Sequence, residues 1–436
     1  MREDARGLPI STESDAAVAR YREGVDLLLS AWTGTGDALE AACAADPDFA
    51  LAHAARARAH AGAGEVAAAK ARIAIASDLV ARRGKERERS HVAVVAAAIE
   101  GRSAGALPAA LDHLERWPRD AVIMSLPLGA FGLFAFSGMA DHDRARVELC
   151  ERHAAAYGED WWFLTYRGWS HAENGDPVRG QGYAERALVL RRANANVAHV
   201  LAHAMFERGA LREADTFIED WLPGYDRAGP LHGHLSWHQA LGALEEGDTA
   251  RAIAIYEARV RPGRSAAAPV VAMSDGPSFL WRLDAYGHGA SRKMWEEVAE
   301  AAARLFPGVG PSFIDVHLAL VAAAAGDADG VLRRVEALDS LLATGALPAG
   351  RVVPAVCRAV RAFAEADYPG CVGELEPVMA DVVRLGGSGA QRRMIEDMLL
   401  IALMRAGDTT RARALVDRRL HRRPSPWDAA RRAELA

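Results

Sequence analysis

Along most of this chain, apolar side chains recur every three or four positions in runs of about 14 residues. That spacing puts one apolar stripe on an α-helix. Few stretches alternate apolar and polar residues as a strand would. The runs come in pairs split by a short turn of fixed chemistry, Gly followed by an acid, at Gly64-Glu65, Gly175-Asp176, Gly247-Asp248, Gly326-Asp327 and Gly407-Asp408. Gly209-Ala210 and Glu365-Ala366-Asp367 are weaker versions. The glycine ends the first helix in a left-handed conformation. The acid opens the second, where its charge suits the positive end of the helix dipole.

From Gly175 onward, successive turns lie roughly 34 to 41 residues apart, close to the period of a helix-turn-helix repeat. The clearest copy, 161–192, has Gly168 where its two helices would cross, Gly175-Asp176 at the turn, and Gly180 and Ala187 in the second helix. Ala202 and Ala240 fill the crossing position in the next two copies. The pattern predicts an all-α solenoid of the tetratricopeptide type, a right-handed superhelix of about ten or eleven hairpins. They would start near residues 16, 50, 86, 121, 160, 194, 231, 275, 311, 351 and 389. Repeats over 1–261 and 276–436 would form one continuous body, interrupted by an inserted loop at 262–275, rich in Pro, Gly and Ser.

Specific stretches also resemble the tetratricopeptide repeat protein 38 family. They are DPDFALAHA (46–54), HLSWHQAL (234–241), DGPSFLWRL (275–283) and GGSGAQR (386–392), in the same order and spacing across nearly the whole chain. Two positions depart from the family pattern: Gly389 stands in place of a His and Arg393 in place of an Asp. The resemblance implies a divergent repeat fold in the cytoplasm and no particular activity.

In such a stack the first helix of each hairpin lines the concave face. The crossing residue and the turn glycine set the register, and the remaining face points inward. This places Trp162, Thr165 and Trp169 there, then Asn196, His199, His203 and Phe206, then His234, Trp237, His238 and Leu241, and finally His317. His199 and His203 stack one helical turn apart, with Glu207 beyond them, and His234 and His238 repeat the spacing. Such a set can bind a small organic ligand, with His199, His203 and His238 as acid/base groups and Trp162, Trp169, His234, Trp237, Asp275 and His317 as binding residues. It can also hold a metal, although no HExxH, CxxC or Asp-rich motif names one. Asp275 has a plainer role as the first acid of the helix after the loop. The Gly-rich turn at 386–389 reads as a hinge, and the remaining histidines as partly exposed or hydrogen-bonded side chains. The rival to a small-molecule pocket is a groove that takes a peptide or a partner helix as a protein-interaction scaffold.

Composition narrows the choice further. Of 436 residues, 52 are basic and 58 acidic, interspersed, for a net charge of -6. That opposes nucleic-acid binding, which needs a basic stripe. The one basic cluster, Arg418, Arg419, His421, Arg422 and Arg423, reads as a solvated helix end. Cys43, Cys150, Cys357 and Cys371 are far apart, as reduced thiols of a cytoplasmic protein would be. No apolar run has the length of a membrane span. Substrate, reaction class, cofactor and self-association are left open by the residues.

Overall fold

The computed structural model describes residues 2–310 and 312–436, with backbone alone at 103 and 104. A two-residue ladder, β1 (Arg2–Glu3) with β2 (Pro9–Ile10), precedes the helices. The first three hairpins are α1 (Asp15–Leu29) with α2 (Thr35–Ala45), α3 (Ala50–Gly62) with α4 (Val66–Arg83), and α5 (Glu86–Ile99) with α6 (Ser103–Arg116). A short α7 (Ala121–Leu128) and α8 (His142–Tyr157) take the place of the fourth, separated by an irregular stretch at 129–141. The fifth and sixth are α9 (Trp161–Glu173) with α10 (Pro177–Leu190) and α11 (Ala195–Glu207) with α12 (Leu211–Trp221). The seventh is α13 (His232–Glu245) with α14 (Thr249–Ile255), which runs on as a π-helical turn over Tyr256–Val260. The eighth and ninth are α15 (Pro269–Ala285) with α16 (Arg292–Leu305) and α17 (Ser312–Ala324) with α18 (Ala328–Ala343). In the tenth, α19 (Val352–Ala364) faces α20 (Tyr368–Leu375), which tightens into a 3-10 segment over Glu376–Leu385. The eleventh is α21 (Gly389–Arg405) with α22 (Thr409–Arg422), followed by α23 (Pro426–Glu434).

This is an all-α, tetratricopeptide-like solenoid. The turn chemistry works as the residues suggest: Gly175 and Gly407 have φ of 88° and 75°. The side chains of Asp176 and Asp408 then accept the amides of Arg179 and Arg411. At the weaker turn, Ala366 takes φ 59° in place of a glycine. The expected start at 311 lies outside the described residues, and the ninth hairpin is seen from Ser312. One boundary needs correction. The segment 262–275 is not all loop, because α15 begins at Pro269. Pro, Gly and Ser content favours a loop, but at the first helical position the missing N–H of proline costs nothing and its φ suits the helix.

The stack winds back on itself at both ends. The first hairpin docks on the sixth: the Ala195 amide donates to Ser30 O at 2.8 Å, and Asn196 Nδ2 donates to Leu29 O at 2.9 Å. At the other end, Arg423 holds Glu245 with two bonds of 2.6 and 2.7 Å and donates to Phe206 O at 3.3 Å. Arg384 donates to Gly138 O at 2.6 Å, and the Gly389 amide to Glu173 Oε2 at 2.8 Å. The C-terminal arginines are therefore not a uniformly solvated helix end. Arg419 and Arg423 are buried, because the inner face of α22 is pressed against α21 and the seventh hairpin, and Arg419 pairs with Asp397 and Asp428. No helix among the described residues is long and apolar enough to cross a membrane. The four cysteines are buried free thiols.

Two substitutions test this packing. A Cβ on Gly180 would lie 2.6 Å from Gly168 O and 2.8 Å from the Ala172 amide, both backbone atoms that cannot swing aside. Gly180→Ala should therefore lower stability by about 1–3 kcal/mol in urea unfolding, although alanine is the better helix former by about 1 kcal/mol. A gain in stability would mean that α9 and α10 do not cross here. Arg423→Met leaves the largely buried Glu245 without its counter-charge, with Ser425 Oγ alone among the described residues donating to it, and should cost about 3–5 kcal/mol, seen as a lower melting temperature.

Candidate functional site

Four imidazoles meet where α11 and α13 lie side by side. His199 and His203 come from α11, His234 and His238 from α13, each pair one turn apart. One ring nitrogen from each lies within 4.8 Å of the others. His203 and His238 are buried, at 0% and 5% exposure, while His199 is half-buried. Trp169 of α9 stacks on His199 at 5.3 Å and meets His203 edge-on at 4.9 Å. Trp237 stacks on His234 at 5.3 Å. The aromatic walls hold the rings in place and keep bulk water away.

Two buried carboxylates stand behind the rings. Asp275 Oδ2 is 2.7 Å from His234 Nδ1, and Glu173 Oε1 is 3.1 Å from His203 Nδ1. By accepting the Nδ1–H of His234, Asp275 fixes the tautomer and leaves the Nε2 lone pair facing His199 Nε2, 3.0 Å away. Asp275 thus does not cap a helix; it sits within α15, on the face turned to α13. Gln391 Nε2 bridges Ser274 Oγ at 3.1 Å and Asp275 Oδ1 at 3.4 Å, and the Ser388 amide donates to Gln391 Oε1. The Gly-rich turn therefore docks onto the site instead of acting as a free hinge. Burial pushes His199 and His238 well below the usual imidazole range, helped by their imidazole neighbours. Burial would raise the Glu173 carboxyl, but its contact with His203 overrides that and holds it below its ordinary value.

On the concave side of this group lies a cavity of about 310 Å³. His199, His234, Trp169, Thr165, Asn196, Tyr166 and Phe131 line it, with Ser388 and Gln391. So does Arg58 of α3. Its Nη1 donates to Val122 O at 2.8 Å, and among the described residues it has no carboxylate partner. Burial pushes its guanidinium down to about 10, still charged at neutral pH. A larger cleft of about 750 Å³ adjoins the cavity and shares Arg58, Leu126, Phe131 and Gly132 with it.

The expected residues divide cleanly. His199, His203, His234, His238, Trp169, Trp237 and Asp275 come together. Of the three named for acid/base work, only His199 reaches the cavity; His203 and His238 are covered by α9, α11 and α13. Trp162 is buried elsewhere, against Tyr157, Tyr166 and the Arg6 guanidinium. His317 donates from Nδ1 to its own Phe313 O at 2.7 Å and packs on the Phe313 ring, away from the cavity. Glu207, one turn beyond His203, pairs with Arg393 at 3.4 Å. Arg58, Glu173 and Gln391 were missed. Glu173 had a usable signal, since it follows Trp169 by four residues on the same helix face. A second polar group, His91, His113 and Arg87 around Asp120, is of a different kind. There one carboxylate accepts from all three at 2.9, 3.3 and 2.7 Å and joins α5, α6 and α7.

No family model matches the chain. Among solved structures, the chain is similar to the crystal structure of yeast Tom70, at 14% identity, with 92% of this chain and 82% of that one covered and a TM-score of 0.34. It is also similar to the TPR domain of P58(IPK), at 14% identity over 90% of this chain and 89% of that one, with a TM-score of 0.23. Neither likeness bears on what this chain binds.

His317 supplies a test of the structural part of this division. Burial pushes it down to about 4, against about 6.5 when unfolded. The unfolded chain thus binds the extra proton first, so the contribution of His317 is complete above pH 6.5 and is lost as the pH falls towards 4. It should amount to ~3 kcal/mol. Urea titrations at pH 7.5 and 4.5 should show a smaller acid loss in His317→Leu than in the parent.

Proposed function

We propose that this chain is a divergent relative of the tetratricopeptide repeat protein 38 family whose inner cavity binds a small organic carboxylate. The observation that carries the reading is Arg58, a charged guanidinium at the cavity wall with a single backbone carbonyl for company. A cation withdrawn from bulk water without a counter-charge is costly. A ligand carboxylate in the cavity would offset that cost. Phe131, Tyr166, Trp169 and Val271 give the same cavity apolar walls, and Asn196, Thr165 and the two wall imidazoles give it polar points. The size lies at the lower end for small-molecule sites. Three of the four stretches that carry the family resemblance supply His234, Asp275 and Gln391, which are linked by hydrogen bonds beside this cavity. The four buried thiols suit a reducing compartment, and the proposal places the protein in the cytoplasm.

The tetratricopeptide-like fold by itself supports a second reading, a protein-interaction scaffold. The larger cleft is the observation in its favour. It runs between Val95 and Ile99 of α5 on one side and Pro348 and Leu385 on the other, and could take an extended peptide whose terminal carboxylate reaches Arg58. A groove along the whole array is closed off, because both ends dock on the middle.

Calorimetry with benzoate, cinnamate and adipate, and with a panel of short peptides with free or amidated C-termini, separates the readings. At least one free acid should bind the parent and raise its melting temperature. Its affinity should fall roughly 10- to 100-fold in Arg58→Met, and benzyl alcohol should not bind. Binding by peptides alone would favour the scaffold. Retention of binding in Arg58→Met would remove the basis for the carboxylate.

A further inference from the structure

We infer that His199, His203, His234 and His238 form a binding site for a divalent transition-metal ion of the zinc class. Convergence is the first argument. Four imidazoles from two neighbouring helices bring one nitrogen each within 4.8 Å of one another. A metal–nitrogen distance of about 2.0–2.1 Å, plus the ring radius, sets tetrahedral ring centres about 5 Å apart. The six centroid separations here run from 4.4 to 6.5 Å, on both sides of that value.

The second argument is the state of the rings. His203 and His238 are more than nine-tenths buried, and neither has a hydrogen-bond partner for either ring nitrogen; the Glu173 oxygen near His203 Nδ1 is out of line for a bond. A buried polar atom left without a partner costs free energy, and His238 repeats that cost at both nitrogens. Imidazole is a ligand only when neutral. Imidazole nitrogens suit zinc, copper, nickel and iron and not magnesium or calcium.

The third argument lies behind the rings. A metal-bound imidazole ordinarily turns its other nitrogen to a carboxylate, which orients the ring and makes it a stronger donor. Asp275 stands in that relation to His234, while Glu173 Oε1 lies 3.1 Å from His203 Nδ1, within reach of it but not in line for a hydrogen bond. The two carboxylates would also balance the charge of a dication held by four neutral ligands. Because His199 and His234 line the cavity as well, the ion would lie at its wall, in the same cavity as Arg58 and the ligand. That last placement rests on the carboxylate reading above; the site itself does not.

The test uses untagged full-length protein stripped with a chelator, with Zn²⁺ and Co²⁺ as probes. The parent should bind one equivalent per chain, acquire visible cobalt absorption of the tetrahedral type, and melt at a higher temperature when loaded. X-ray absorption of the zinc-loaded parent should show three or four imidazoles, and this measurement needs no variant to fold. His203→Ala/His238→Ala should bind none. Asp275→Asn should lose roughly 10- to 100-fold in affinity. Arg58→Met should bind zinc as the parent does, so loss of the carboxylate alone leaves the metal site standing. Absence of stoichiometric binding, a zinc shell without imidazole, or undiminished binding in the double variant would each overturn the inference.

Discussion

The arrangement rests on the docking of the two ends of the helical stack against its middle. An open stack of hairpins offers one long concave surface to water. Here the first hairpin hydrogen-bonds to the sixth, and the last helices reach back to α9, α11 and α13 through Gly389, Arg393 and Arg423. The inner faces of the central helices are thereby removed from solvent. His203, Trp237 and Phe206 are buried, while His199 and His234 reach a cavity on that surface. Arg423 matters most among these contacts because its guanidinium is itself buried. It meets Glu245 with both oxygens and lies 4.2 Å over the Phe206 ring. Such a charge pair is strongly coupled to the fit of the surfaces that exclude water from it.

That closure explains what could and could not be read along the chain. Hairpin boundaries are local. Asp176, Asp248, Asp327 and Asp408 each cap the following helix through the amide three residues on, so a Gly-acid pair between apolar runs marks a real turn. The stacking of His199 with His203 and of His234 with His238 is also local, since helical geometry alone puts them on one face. Arg58 is different. It reaches the cavity from α3, and no periodicity reports that α3 meets Thr165, Tyr166 and Trp169 of α9 there. Glu173 lies between the two cases: its helix face was legible, its partner was not. The start of α15 failed for another reason, because Pro and Ser can both end a helix and begin one.

The two histidine groups show that a cluster of titratable side chains does not have one meaning. Around Asp120, burial would raise the carboxyl, but His91, His113 and Arg87 override it and hold it well below its ordinary value. The acceptor lies at the centre and the donors surround it, so the group works as a polar staple between helices. Around His199 the order is reversed. Two carboxylates lie beside His234 and His203, and one nitrogen from each of the four rings lies within 4.8 Å of the others.

Proton placement alone leaves such a centre unsatisfied. Asp275 takes the Nδ1 proton of His234, and so a lone pair on His234 Nε2 faces inward. His199 can donate its Nε2 proton to that lone pair across 3.0 Å, which satisfies one pair of rings. Neither nitrogen of His203 has a hydrogen-bond partner, although Nδ1 lies 3.1 Å from Glu173 Oε1. His238 has no partner at all, so one neutral tautomer would leave its N–H unpaired and the other merely moves the deficit. A single dication satisfies every inward nitrogen at once, and the two carboxylates behind the rings then become its counter-charges.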